Sequence, residues 1–133
     1  MNNNEVAIVS RIAYGLCLIV FAFFHFSKAP VMAGGVPSFI PGGIIWVYIT
    51  GIALVLAGIA FIINKKVKLA AYLLGLMLII FVLTIHLPKA IEKGDTSMLL
   101  KDIALAASAF FIGSTLIAPP ATIDGEKEIS VLG

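Results

Sequence analysis

A chain of 133 residues, 61% hydrophobic and only 12% charged, is too apolar for a water-soluble domain, where roughly 45–50% apolar and about 25% charged residues are usual. A chain this short cannot hide so much apolar surface from water, so lipid must solvate it. The net charge of +2 comes from scattered basic residues, which excludes a nucleic-acid footprint. The single cysteine, Cys17, excludes an internal disulfide, a CxxC dithiol centre and a structural zinc site of several thiolates.

A bilayer-spanning helix needs about 20 mainly apolar residues, and four such stretches occur, over 6–27, 44–63, 67–87 and 98–118. The expected fold is therefore all-α: one domain, a four-helix membrane bundle. The opening Met-Asn-Asn-Asn-Glu lacks the basic n-region of a cleavable signal peptide, so the first stretch is expected to stay as a helix that also directs insertion. Asn4 is expected to cap it and Pro30 to stop it. Residues 28–43 follow as an apolar loop broken by three prolines and four glycines. Irregular backbone near a bilayer needs protein or water to satisfy it, so this loop reads either as a lid across the mouth of the bundle or as a plain interfacial linker. Asn64 opens the tight turn Asn64-Lys65-Lys66-Val67-Lys68 into the third helix. Pro88 is expected to push Leu87 out of helical geometry and close that helix. Asp95, Thr96 and Ser97 offer caps for the fourth, Pro119-Pro120 stops it, and 119–133 forms a polar tail. No internal repeat is evident.

Four spans return the chain to its starting side. Face A then carries both termini and the 64–68 turn, and face B carries the 28–43 and 88–97 loops. Basic residues divide five to four, with Arg11, Lys65, Lys66, Lys68 and Lys127 on face A and Lys28, Lys89, Lys93 and Lys101 on face B. The lysine turn contains no acid, whereas Lys89 and Lys93 share their loop with Glu92 and Asp95. Short lysine-rich loops stay cytoplasmic, so both termini are expected inside the cell.

Helix positions spaced i, i+4, i+7, i+11 fall within one stripe. In the first helix that stripe reads Arg11, Gly15, Leu18, Ala22, His25; in the second Tyr48, Gly51, Val55, Gly58. In the third it reads Tyr72, Gly75, Ile79, Val82, His86, and in the fourth Asp102, Ala106, Ala109, Gly113. Small residues let membrane helices approach, so polar residues sharing their stripes are expected to point into the bundle. Depth along each helix sends His25, Tyr48, His86 and Asp102 toward the face-B mouth, and Arg11 and Tyr72 toward face A. Two candidate sites result: a ligand site of His25, Tyr48, His86 and Asp102, and a second polar site of Arg11 and Tyr72.

The plain reading competes with each. His25 and His86 near helix ends can be interfacial, Asp102 can be a helix N-terminal charge, and Arg11 can snorkel to headgroups. Trp46 reads as aromatic belt and Cys17 as inert packing. Two histidines and an aspartate on separate helices make a weak case for a metal. Axial haem ligation requires a four-helix bundle to open widely for the ring. A quinone or another flat lipophile hydrogen-bonded by His, Tyr or Arg suits an apolar lidded pocket better. No nucleophile elbow, P-loop or dinucleotide fingerprint is present.

Several segments together resemble the DoxX family of small four-helix membrane proteins. They are Arg11, Gly15 and His25-Phe26; Val36-Pro37-Ser38-Phe39-Ile40-Pro41-Gly42-Gly43; Trp46-Val47-Tyr48-Ile49-Thr50-Gly51-Ile52-Ala53-Leu54 and Ala57-Gly58; the lysine turn; Ala70-Ala71; and His86-Leu87-Pro88. The Pro-Gly loop feeding directly into Trp-x-Tyr-x-Thr-Gly is the most distinctive piece, and the likeness runs from about Ile8 to Gly113. The resemblance implies a multi-pass bacterial inner-membrane protein, an accessory or scaffold subunit of a quinone-linked membrane redox system, with no catalysis of its own. The alternative is a stand-alone enzyme or carrier for a small lipophilic molecule in the face-B pocket. Expected partners are the lipid bilayer and a membrane oxidoreductase; a homo-oligomer is left open.

Overall fold

The computed structural model describes residues 1–115; the end of the expected fourth span, Pro119-Pro120 and the polar tail lie outside them. Every regular element among the described residues is helical. In chain order these are α1 (Asn3–Ser27), α2 (Ala29–Ala33), α3 (Gly43–Ile63), α4 (Val67–Phe81), a π-helical turn (Val82–His86), α5 (Leu87–Lys93) and α6 (Ser97–Thr115). Because α4, the π turn and α5 run on without a break, four helices are long and apolar enough to cross a membrane. Only 17–39% of each apolar window is buried inside the bundle. Phe23, Leu56, Leu83, Leu100 and Phe111 face outward. In water such a surface would aggregate; in a bilayer it is solvated. The protein is a multi-pass membrane protein.

The helix ends obey local rules, with corrections to the sequence reading. Asn2, two residues earlier than expected, caps α1: its side chain accepts from the Glu5 amide while Glu5 Oε2 accepts from the Asn2 amide, a reciprocal capping box. Gly94, at φ +71°, ends α5 in a left-handed conformation that costs glycine nothing. Asn64 and Lys66 are also left-handed, at φ 58° and 52°, which compresses the α3–α4 connection into a tight turn. Asp95 Oδ1 accepts from both the amide and the hydroxyl of Ser97, at 2.9 and 2.6 Å. Those bonds, the side-chain one first, hold the Asp95 carboxyl below its ordinary pKa. The cap is therefore present above the carboxyl's unfolded-state pKa and is lost as pH falls through the lower folded value.

Pro88 does not close the third helix. Leu87 is α-helical at φ −65°, ψ −49°, and its amide donates to the Val82 carbonyl, five residues back. A proline inside a regular α-helix clashes with the carbonyl four residues before it. The wider π turn moves that carbonyl aside, so Pro88 becomes an early residue of α5 and the helix runs one and a half turns further. Thr84 returns its hydroxyl to the Ile80 carbonyl at 2.7 Å.

Packing is uneven. α1 lies against α3 and α4 against α6, each along most of its length, whereas α3 and α4 meet more sparsely. Gly15 and Gly58 set the α1–α3 distance: a Cβ on either would lie 2.8 Å from the other's carbonyl oxygen, so only two glycines permit this approach. In the second pair the Phe110 ring occupies the space where a Cβ on Gly75 would sit, 2.7 Å away. The pairs join through a core that includes Leu18, Leu54, Phe61, Leu74 and Leu78. They are also tied by Tyr14, whose hydroxyl donates to the Leu105 carbonyl at 2.7 Å.

Candidate functional site

At face B the four spans diverge around a cavity of about 820 Å³. Its walls are apolar, from Leu18, Phe21, Val47, Leu54, Leu78 and Leu105 among others. Residues of the 28–43 segment (Met32, Val36, Pro37, Ile40) line it too, so this segment roofs the mouth. It is not wholly irregular: α2 forms its first part, with Pro30 at the start of that helix, where a missing N–H costs nothing. The roof is tied to α3 and lies against α5. Trp46 Nε1 donates to the Pro41 carbonyl at 2.8 Å, and Gly35 lies so close to Lys89 that a Cβ there would be 2.8 Å from Nζ.

The polar groups collect at one pole of this cavity. Asp102, in the second turn of α6, is buried, with a side chain only 5% exposed. An unpaired carboxylate in that position would be costly, and each of its oxygens has a partner. His86 Nε2 lies 2.9 Å from Oδ2 and Lys101 Nζ lies 3.3 Å from Oδ1. The Lys101 ammonium also stands 5.0 Å from the centre of the Phe21 ring on α1. His86 belongs to the π turn, a geometry common where a helix serves a site. His25, in the last turn of α1, uses Nδ1 to bond the Phe21 carbonyl at 2.8 Å.

These bonds settle the hydrogen-bonding capacity left for a guest. A carbonyl only accepts, so His25 carries its proton on Nδ1 and leaves Nε2 as an acceptor in the neutral ring. Asp102 Oδ2 accepts from His86 Nε2, which leaves Nδ1 as an acceptor in the neutral ring. The Thr50 hydroxyl is spent on the Trp46 carbonyl at 2.8 Å, and the Trp46 N–H on Pro41. The neutral donors at the cavity are therefore engaged internally, while two imidazole nitrogens remain as acceptors. Lys89 and Lys93 also line the cavity and form no ion pair among the described residues.

Of the residues expected at face B, His25, His86 and Asp102 line this cavity and Tyr48 does not. Tyr48 is 40% exposed and stacks on Phe26 outside the cavity, ring centres 6.2 Å apart at 18°. α3 buries an arc from Val47 through Thr50 and Gly51 to Leu54, because it packs on α1 and on the central core at once, and Tyr48 falls just beyond its edge. Arg11 and Tyr72 do not form a second polar site. The Arg11 guanidinium donates to the Phe61 carbonyl, one of the last α3 carbonyls without an intrahelical partner, so it neither snorkels nor meets Tyr72. Tyr72 packs on Phe110 of α6, ring centres 5.9 Å apart. Cys17 is exposed on the outer, lipid-facing surface instead of packed inside.

Lys101, Thr50, Trp46 and Lys89 at the cavity, and Tyr14 beside it, were not singled out from the sequence as site residues. Lys101 carried the one available signal, being adjacent to the inward-facing Asp102. Among the described residues no three His, Cys, Asp or Glu side chains converge as a metal-ligand set. No family model, curated protein or solved structure matches the chain.

Proposed function

We propose that this protein is a DoxX-like protein of the bacterial inner membrane that binds a small hydroxyl-bearing lipophile, of the quinol class, in the face-B cavity. The observation that carries this reading is the combination of apolar walls with one imidazole nitrogen unspent as an acceptor on each of His25 and His86, the latter held by the buried Asp102. A hydroxyl donates to such nitrogens, whereas a carbonyl finds no neutral donor free. His25 and His86 are the residues that hold the hydroxyls, Asp102 and Lys101 position His86, and the 28–43 roof excludes water. The DoxX resemblance supports a further step: service as an accessory subunit to a quinone-linked membrane oxidoreductase, with no catalysis by this chain alone.

The test is direct. In nanodiscs, a short-tailed benzoquinol should bind the wild-type protein and protect it against heat, and the matching benzoquinone should bind at least about tenfold more weakly. His25→Leu and His86→Leu should each weaken quinol binding by a similar factor, about 1–2 kcal/mol for one lost hydrogen bond. Equal affinity for quinol and quinone, unaffected by either substitution, would overturn the assignment.

The same reading puts both termini in the cytoplasm, supported by the exposed, acid-free Lys65-Lys66-Lys68 turn. Reporters fused after Asn64 and after Gly94 should give opposite compartment signals, the first cytoplasmic. Reversed signals would overturn the orientation alone, whereas identical signals would contradict the four-span membrane arrangement.

A further inference from the structure

The face-B cavity does not end at its polar pole. Its wall is open sideways between α3 and α4, where Ile49, Leu76 and Ile80 line it while remaining exposed to the membrane. A second cavity, of about 430 Å³, lies along the same seam toward face A. The two share Leu73 and Met77, so they are consecutive parts of one trough. α3 contributes alanines to it, at Ala53, Ala57 and Ala60, and α4 contributes larger side chains such as Leu69 and Leu74. The alanines keep the trough open although the tight Asn64–Lys66 turn holds the two helices together at one end. Lys66 lines that end.

Length identifies the occupant. From His86 to Lys66 the helix rises about 30 Å, the full thickness of the hydrocarbon core. A phospholipid acyl chain starts from one surface and reaches only about half that depth, so it would leave the Lys66 end empty. A polyisoprenoid chain is long enough to pass the midplane. We propose that the α3–α4 seam is a tail channel, and that the ligand of the face-B cavity is a lipid with a long polyisoprenoid chain running from the histidines to Lys66. This rests on the reading of the cavity as a lipophile site and adds the class of the lipid. The lateral opening lets such a molecule enter from the bilayer with its head last, without moving the roof.

The experiment uses the full chain in nanodiscs and two photoreactive polyprenylated benzoquinols, one with a diazirine on the ring and one with it on the terminal isoprene unit. The ring probe should label peptides containing His25 or His86. The tail probe should label Leu69 and Ala70, about tenfold above the outward-facing Phe23 or Phe111 on the other helices. Ala53→Phe, which fills the trough, and Leu56→Trp, which narrows it from an exposed position that folding tolerates, should each cut the Leu69 labelling about tenfold. They should leave ring labelling by a tail-less quinol unchanged. Ring labelling with tail labels spread evenly over all four spans would overturn the channel and keep the cavity reading. Absence of ring labelling would remove the cavity reading and the channel with it. Equal protection of Leu69 by a fatty-acyl ester of the same quinol would overturn the choice of an isoprenoid.

Discussion

Replacing Gly58 with leucine is expected to destroy the α1–α3 pair, with a stability loss of about 3 kcal/mol or more, at or above the usual upper end of overpacking. A Cβ at position 58 would sit 2.8 Å from the Gly15 carbonyl oxygen and 2.8–2.9 Å from two Ile19 side-chain carbons. Ile19 can change rotamer, but a backbone carbonyl inside a helix cannot swing away. α1 must therefore lift off α3, and Arg11 then loses the Phe61 carbonyl that it caps. Thermal unfolding in mild detergent reads the effect. Gly43→Ala is the control, because a Cβ there meets nothing within 4 Å; it should leave the midpoint unchanged or raise it slightly. An unshifted midpoint for Gly58→Leu would show that the two helices do not meet through these glycines.

Asp102→Ala is expected to give the second large effect, on the site more than on the fold. It removes the acceptor of both His86 Nε2 and Lys101 Nζ. Leaving such donors without a partner costs about 1–3 kcal/mol, toward the lower end here because Lys101 is 41% exposed and can turn to the headgroups. Binding should suffer further, since His86 loses the bond that fixes its tautomer and aim, so quinol affinity should fall by about tenfold or more. Asp102→Asn keeps an acceptor of the same shape and should retain most of the stability but not the full affinity. Lys101→Met leaves the His86–Asp102 pair intact and should have the smallest effect of the three. If Asp102→Ala bound quinol like the wild type, His86 would need no positioning and the site chemistry would have to be reassigned.

Both outcomes depend on features of unequal visibility in the chain. The inward stripe of α6 was legible in full: Asp102, Ala106, Ala109 and Gly113 are its buried residues, because small residues at helical spacing have one use between close-packed helices. Gly15, Leu18 and Ala22 of α1 were legible for the same reason. On α3, which has neighbours on two sides, a stripe one residue wide under-described a broad buried arc, and Tyr48 fell outside it. The third helix runs past Pro88 because the rule for proline presumes α geometry, and the π turn around Val82–His86 removes the clash on which that rule rests.

The sequence by itself determined that this is a four-span membrane protein and which faces of α1 and α6 turn inward. Hydropathy and the 3.6-residue period are properties of each segment and need no partner to be read. The tertiary structure alone decided what those faces meet. It paired His86 with Asp102, gave Arg11 a carbonyl on another helix, committed each neutral donor of the cavity, and parted α3 from α4 to open the seam. Those outcomes depend on how far apart two helices stand and how each is turned about its axis. These are distances between segments remote in the chain, and no local pattern encodes them.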